Sequence, residues 1–167
     1  MAIFAPHPKP PEAVKFNFSK AQVLLVDGNS TSLSVLCQIL SGFGFRRFIR
    51  CADVSKLEAI VRTQTVDLIL IDPFGFGPTI YDWVYWLRHE QLGENSAVPV
   101  LFTCAHSSLD EIRRTKDCGA DYVVAKPFSP AVLLERILWT ARREGRGGFM
   151  TEHQALVTSH GSEMELW

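Results

Sequence analysis

The sequence predicts an α/β domain, a doubly wound five-stranded parallel sheet with helices on both faces. Three observations carry that expectation. Short, almost wholly apolar runs alternate with segments whose apolar residues recur at helical spacing. The runs are too hydrophobic for a sheet with one wet face, so both faces must be covered. Polar residues stand at the ends of the runs, where a doubly wound sheet gathers its chemistry.

The first strand is Ala21-Gln-Val-Leu-Leu-Val26, closed by the turn Asp27-Gly28-Asn29. Leu33, Leu36, Cys37 and Leu40 mark the first helix, which Gly42 and Gly44 stop. A strand over Arg47–Cys51 leads to a helix opened by the capping box Ser55-Lys-Leu-Glu58. Val66-Asp-Leu-Ile-Leu-Ile71 is the clearest strand, and it ends on Asp72. After a Gly/Pro loop, Trp83, Trp86 and Leu87 mark the third helix, with Trp83 core and Trp86 half-exposed. The strand Val98–Cys104 precedes a helix that opens with a second capping box, Ser108-Leu-Asp-Glu111, and closes at Gly119. Tyr122–Ala125 is the last strand. Ser129 then supplies an N-cap and Pro130 the first position of a helix reaching Glu144.

At 167 residues the chain has room for one domain. Its boundaries read as a proline-rich arm over 1–19, a folded unit over 20–144 and a polar tail over 145–167. With 17 basic and 18 acidic side chains, the net charge of −1 gives no general pull toward nucleic acid or an anionic membrane. Cys37, Cys51, Cys104 and Cys118 stand far apart, without zinc-ligand spacing, and read as small buried residues in a reducing compartment. No apolar run is long enough to span a bilayer, and Met1–Pro11 lacks the apolar core of a signal peptide, so the expected location is cytoplasmic.

Read in order, the strand ends carry Asp27, then Asp72, then Thr103 and Cys104, then Lys126. A lone Asp at a strand end is usually a cap or turn former. Two carboxylates and an ammonium converging on one sheet edge are harder to dismiss. Lys126 sits in Lys-Pro-Phe directly after an apolar strand, and a cis bond at Pro127 would aim it inward.

These motifs resemble those of the response-regulator receiver family, of the chemotaxis-receiver (CheY-like) type. The resemblance spans about Lys20 to Glu144 and rests on Leu-Leu-Val-Asp27-Gly-Asn, Asp-Leu-Ile-Leu-Ile-Asp72, the Pro99-Val-Leu-Phe strand, and Gly119-Ala-Asp through Lys126-Pro-Phe128. It implies the flavodoxin-like strand order 2-1-3-4-5. It further implies that Asp72 accepts a phosphoryl group from a histidine kinase or phosphotransfer protein, and that Lys126 contacts the phosphoryl oxygens. Asp27, Asp72 and the backbone carbonyl of Phe74 would hold Mg²⁺. The chain would be a stand-alone regulator that binds a downstream protein, with a homodimer possible, and a phosphoacceptor rather than an enzyme.

Three positions depart from that pattern. Gly28 stands where a second acidic residue contacts the metal, so Mg²⁺ binding should be weak. Cys104 falls where a Ser or Thr hydroxyl bonds the phosphoryl group, and Val123 where an aromatic switch residue stands. Thr103 and Tyr122 lie one residue earlier, on the opposite faces of regular strands. A bulge would exchange the faces and bring both into place. Without one, the usual coupling of phosphorylation to the face formed by the fourth helix, fifth strand and fifth helix is lost.

Two other readings compete. One is a phosphorylation-independent interaction module on the same fold. The other is a flavin carrier, suggested by Asn29-Ser-Thr-Ser32 but opposed by the charge of Asp27 beside any phosphate. The bland reading is preferred elsewhere: His106 as a solvated loop residue, His153 and His160 as tail residues, and Arg46, Arg47 and Arg50 as a solvated strand edge. Gly42-Phe-Gly44 and Gly75-Phe-Gly77 lack the context of a phosphate-binding fingerprint.

Overall fold

The computed structural model describes residues 18–105 and 108–143. In chain order the elements are β1 (Gln22–Val26), α1 (Ser30–Phe43), β2 (Arg47–Cys51), α2 (Leu57–Thr63), β3 (Leu68–Ile71), α3 (Thr79–His89), β4 (Val100–Cys104), α4 (Leu109–Asp117), β5 (Tyr122–Ala125) and α5 (Pro130–Arg143). The strands form one parallel sheet in the order β2-β1-β3-β4-β5, as expected.

Alternation along each strand divides the core into two layers. Leu68 and Leu70 of β3 face α1 and α5, packing with Leu33, Leu40, Leu133 and Ile137. Ile69 and Ile71 face the other way, toward Leu57, Val61, Ile80, Val84 and Leu87 of α2 and α3. β3 has no side chain left for water, which is why its sequence is an unbroken apolar run. The helix α4 is the exception: Thr115 is its sole buried residue.

Several boundaries differ from the sequence reading, each for a local reason. The box expected at Ser55 does not form. Asp53 caps a 3-10 turn over Val54–Lys56, and its carboxylate takes both the Ser55 N–H (2.9 Å) and the Ser55 hydroxyl (2.7 Å). A carboxylate is the stronger acceptor, so Ser55 becomes donor rather than cap, and α2 starts at Leu57 without a side-chain cap. Val66 and Asp67 precede β3 instead of opening it, because the Val66 N–H is taken by the buried side chain of Asn95 at 3.0 Å. That side chain also donates to the carbonyls of Val61 and Gln64, at 2.7 Å each. The β4 ladder likewise starts at Val100 rather than Val98, after a 3-10 turn over Gly93–Ala97.

Other local signals are present as read. Ser108 and Glu111 form the reciprocal capping box of α4, and Ser129 accepts the Val132 N–H at the start of α5. Gly44 ends α1 with a φ of 107°, whereas Gly42 lies inside the helix. Asn29 is more than a turn residue: its side chain caps α1 by accepting the N–H groups of Thr31 and Ser32. All four cysteines are free and buried. Among the described residues no helix is long and apolar enough to cross a membrane. His106, His153, His160, most of the proline-rich arm and the polar tail lie outside the described residues.

Candidate functional site

Asp27 and Asp72 are brought together by the ladder itself. The Asp72 N–H donates to the carbonyl of Val26 at 2.8 Å, which sets the end of β3 beside the end of β1. The Lys126 N–H donates to the carbonyl of Cys104 at 2.8 Å and extends the same edge past β5. The peptide bond between Lys126 and Pro127 is cis, as expected from the sequence. The Lys126 ammonium pairs with Asp72 Oδ2, with the two side chains 31% and 12% exposed. Asp72 Oδ1 accepts the N–H of Phe74 at 2.9 Å. One carboxylate oxygen is thus committed to the lysine and the other to the loop.

Asp27 is 7% exposed, and its Oδ1 accepts the Asn29 N–H at 2.8 Å. Burial pushes its pKa up; the Asn29 bond works against that, the charge of Asp72 adds to it, and Lys126 opposes it. A buried carboxylate facing a second carboxylate is a place where added positive charge is welcome.

The backbone after β3 completes this side. The side chain of Phe74 is 83% exposed, while its carbonyl turns back toward Gly28. A Cβ built on Gly28 would lie 3.9 Å from that carbonyl oxygen and 3.9 Å from the ring tip of Phe76. Both are ordinary contact distances, so a side chain at position 28 would fit without strain. The carboxylates of Asp27 and Asp72 and the Phe74 carbonyl are hard oxygen donors, and this set suits Mg²⁺. Gly28 adds no side-chain oxygen to that set.

The strand ends beyond β3 are regular. Ile69 to Ile71 pair in step with Val100 to Phe102, and Leu101 to Cys104 with Tyr122 to Ala125. No bulge interrupts β4 or β5, so the exchange of faces that would bring Thr103 and Tyr122 to the site does not occur. Thr103 is buried on the α1/α5 side of the alternation, its hydroxyl 3.5 Å from the carbonyl of Ile71. Tyr122 is buried in that same layer, edge-on to Trp139 at 6.4 Å. Cys104 and Val123 instead belong to the layer of α2 and α3. Cys104 is 4% exposed, and burial together with Glu111 and Asp72 pushes its thiol up to about 11, Lys126 opposing. It is a dry, protonated thiol at the border of the charged pocket.

One residue beside it was not singled out from the sequence. Tyr81, in the first turn of α3, stacks on Phe102 of β4 at 5.4 Å with the rings 6° from parallel. Burial pushes its pKa up, and Cys104 and Glu111 add to that. A tyrosine one place after an apolar helix residue gives no signal that its ring stacks on a strand. The remaining candidates fall where the bland reading put them: Arg46, Arg47 and Arg50 are exposed at the β2 edge, Trp83 is buried and Trp86 is half-buried.

Comparison with known proteins follows the same outline. The family described as "Response regulator receiver domain" matches residues 23–138. Among curated relatives, the transcriptional regulatory protein YvrH of Bacillus subtilis is 28% identical over 117 residues, covering 70% of this chain and 47% of that protein. The phosphate regulon transcriptional regulatory protein PhoB of Escherichia coli is 26% identical over 122 residues, covering 73% and 52%. The chain therefore spans about half the length of these relatives. Among solved structures, a CheY-like receiver domain protein from Methanospirillum hungatei superposes with a TM-score of 0.62 at 24% identity, over 76% of this chain and 98% of that one. The chemotaxis protein CheY4 of Vibrio cholerae gives 0.63 at 23% identity, over 72% and 98%. At these identities the superpositions speak for the fold alone, and the family match covers well over half of the chain: the chain belongs to the response regulator receiver family of two-component signalling.

Proposed function

We propose that Asp72 is the phosphoacceptor of a signalling relay, taking its phosphoryl group from a histidine kinase or phosphotransfer protein. The observation that carries this reading is the pairing of Asp72 with Lys126 at the carboxyl edge, with Asp27 buried beside them. In the transfer, a carboxylate oxygen of Asp72 attacks phosphorus. The bond from phosphorus to the donor's imidazole nitrogen breaks, and its electron pair stays on that nitrogen. The product is an acyl phosphate, a reactive anhydride that carries more negative charge than the carboxylate did. Lys126 meets that charge as a point cation already in contact with the acceptor. Mg²⁺, held by Asp27, Asp72 and the Phe74 carbonyl, would supply further charge neutralisation. The chain is then a phosphoacceptor rather than an enzyme, works in the cytoplasm and acts by binding another protein.

A second reading has its own support. The Cys104 thiol is a weak donor, Val123 is no switch residue, and the Tyr81 ring is stacked on Phe102 beside them. These favour a surface that partners bind without regard to phosphorylation. One experiment separates the readings. Wild type and Asp72→Asn are incubated with acetyl phosphate and Mg²⁺ and weighed intact. Gain of one phosphoryl mass by wild type alone supports the acceptor reading; no gain by wild type refutes it and leaves the interaction module.

A further inference from the structure

Asp72 is followed by the turn Pro73-Phe74-Gly75-Phe76, closed by the Phe76 N–H on the Pro73 carbonyl at 3.2 Å. Gly75, its third residue, has a φ of 87°. A closed turn with a positive φ at that place is of type II, for which glycine, then asparagine, is the residue of choice. Type II differs from the commoner type I in the peptide between the second and third residues, which is turned over. Here that peptide carries the Phe74 carbonyl. Space does not explain the glycine, because a Cβ built on Gly75 meets nothing within 4 Å. Only the backbone angle asks for it.

The turn is held on both sides of that peptide. The Phe74 N–H is spent on Asp72 Oδ1 at 2.9 Å. The Phe76 ring packs against the layer of α2 and α3, with its tip beside Gly28. With its neighbours fixed, the peptide between Phe74 and Gly75 is the part left to turn. As observed, its carbonyl oxygen lies 3.9 Å from a Cβ built on Gly28, the residue next to Asp27. Turned over, the peptide would present the Gly75 N–H there instead, a donor that repels a cation. Among the described residues no three His, Cys, Asp or Glu side chains gather so as to hold a metal ion. A third protein oxygen beside Asp27 and Asp72 therefore has to come from the backbone.

We propose that Gly75 is a positioning residue: its left-handed φ keeps the Phe74 carbonyl turned toward Gly28, and so sets the Mg²⁺ affinity of the pocket. The Mg²⁺ clause rests on the function proposed above; the orientation of the carbonyl does not. A side chain at position 75 disfavours the left-handed angle and shifts the turn toward the form whose carbonyl faces away. Apparent affinity then falls with the fraction of molecules still in the binding form. Gly77 supplies the control. Its φ is 61° and its surroundings are equally open, but it lies outside the turn.

The test is nuclear magnetic resonance on the full chain, first metal-free and then titrated with Mg²⁺ on the backbone amide shifts. Metal-free wild type should show a strong Overhauser contact from the Phe74 Hα to the Gly75 amide proton, as a type II turn requires. In Gly75→Ala that contact should give way to one between the amide protons at positions 74 and 75, the mark of type I. Mg²⁺ binding should weaken by about tenfold, the scale on which a side chain disfavours a left-handed backbone. Gly75→Asn should restore both the wild-type contact and the affinity to within about threefold, since asparagine accepts a positive φ. Gly77→Ala should leave both unchanged. Wild-type contacts and affinity in Gly75→Ala would overturn the proposal, as would an equal loss of affinity in Gly77→Ala or no rescue by asparagine. A wild type that takes no Mg²⁺ would refute the metal reading and the affinity half of this one, whereas the metal-free contacts decide the turn by themselves.

Discussion

On one side of the carboxyl edge, Asp27, Asp72 and Lys126 form a charged pocket in which each carboxylate is held by a specific donor. On the other side, the end of β4 and the middle of β5 present a buried thiol and an aliphatic side chain, backed by a stacked tyrosine. The two sides are a few residues apart and obey different physics. Accepting a phosphoryl group requires polar groups held in reach of one atom. Passing the event on requires a side chain with two places to be and a reason to change between them. The pocket meets the first requirement. If Asp72 is the acceptor proposed above, the dry side offers little toward the second: the Cys104 thiol is a weak donor and Val123 has no polar group, and a site with no differential contact shifts no population.

The sharpest way to break this contrast is at Lys126. If the pocket is the chemical half, Lys126→Ala should slow phosphoryl incorporation from acetyl phosphate by about a hundredfold, the usual effect of removing one aligned stabilising group. Circular dichroism should be unchanged, because the lysine is at the rim. A rate within a factor of two of wild type would mean that the charge complementarity seen at Asp72 is structural only.

Gly28 gives the next largest effect. Its open surroundings predict that Gly28→Asp folds normally and adds a carboxylate beside the Phe74 carbonyl. Mg²⁺ affinity, read from tryptophan fluorescence, should rise about tenfold, equivalent to about 1.4 kcal/mol. An unchanged titration would show that water serves at that position as well as a carboxylate does. The dry half is tested by an upper bound. Binding of a captured partner with and without beryllofluoride should differ by less than about tenfold, and a hundredfold difference would place a working switch outside Cys104 and Val123.

How much of this was legible in the sequence follows from the range of each interaction. Hydrophobic alternation reported the strands, because burial on both faces leaves a mark on every residue of a run such as Leu68–Ile71. The pocket was legible for the same reason: strand ends fix where Asp27, Asp72 and Lys126 must lie, and the ladder leaves no freedom to separate them. Contacts between distant side chains left no such mark. Asn95 reads as a loop residue, yet its amide closes three backbone groups nearly thirty residues or more away, two of them in buried bonds. Tyr81 and Phe102 each look ordinary, and only the packing of α3 on β4 makes them a pair. The choice between regular and bulged strands was also out of reach, because one inserted residue reverses the faces at no cost to composition. Asp53 prevailed over Ser55 as a cap through a competition between two good acceptors that spacing alone does not rank.

The smallest effect concerns the dryness of the second half, and the Cys104 thiol is its probe. Burial raises its pKa from an ordinary value of 9.0 to about 11. Between those values the unfolded chain loses the thiol proton while the folded chain keeps it. The unfolded state is then favoured, and stability falls as pH rises above 9. With an unfolded pKa of 9.0, this group alone should remove about 0.8 kcal/mol between pH 7 and pH 9.5. Cys118, whose thiol burial also raises, contributes a loss of the same sign, so wild type alone cannot isolate Cys104. Urea unfolding of wild type and Cys104→Ala at the two pH values does. The cavity left by the substitution costs stability equally at both, whereas the titration does not. The gap between the two proteins should narrow by about 0.8 kcal/mol at pH 9.5. A gap that stays constant would mean that the Cys104 thiol ionises as readily in the folded protein as in the unfolded one. The strand end beside the pocket would then be wet, and the division drawn between the two halves would fail at its boundary.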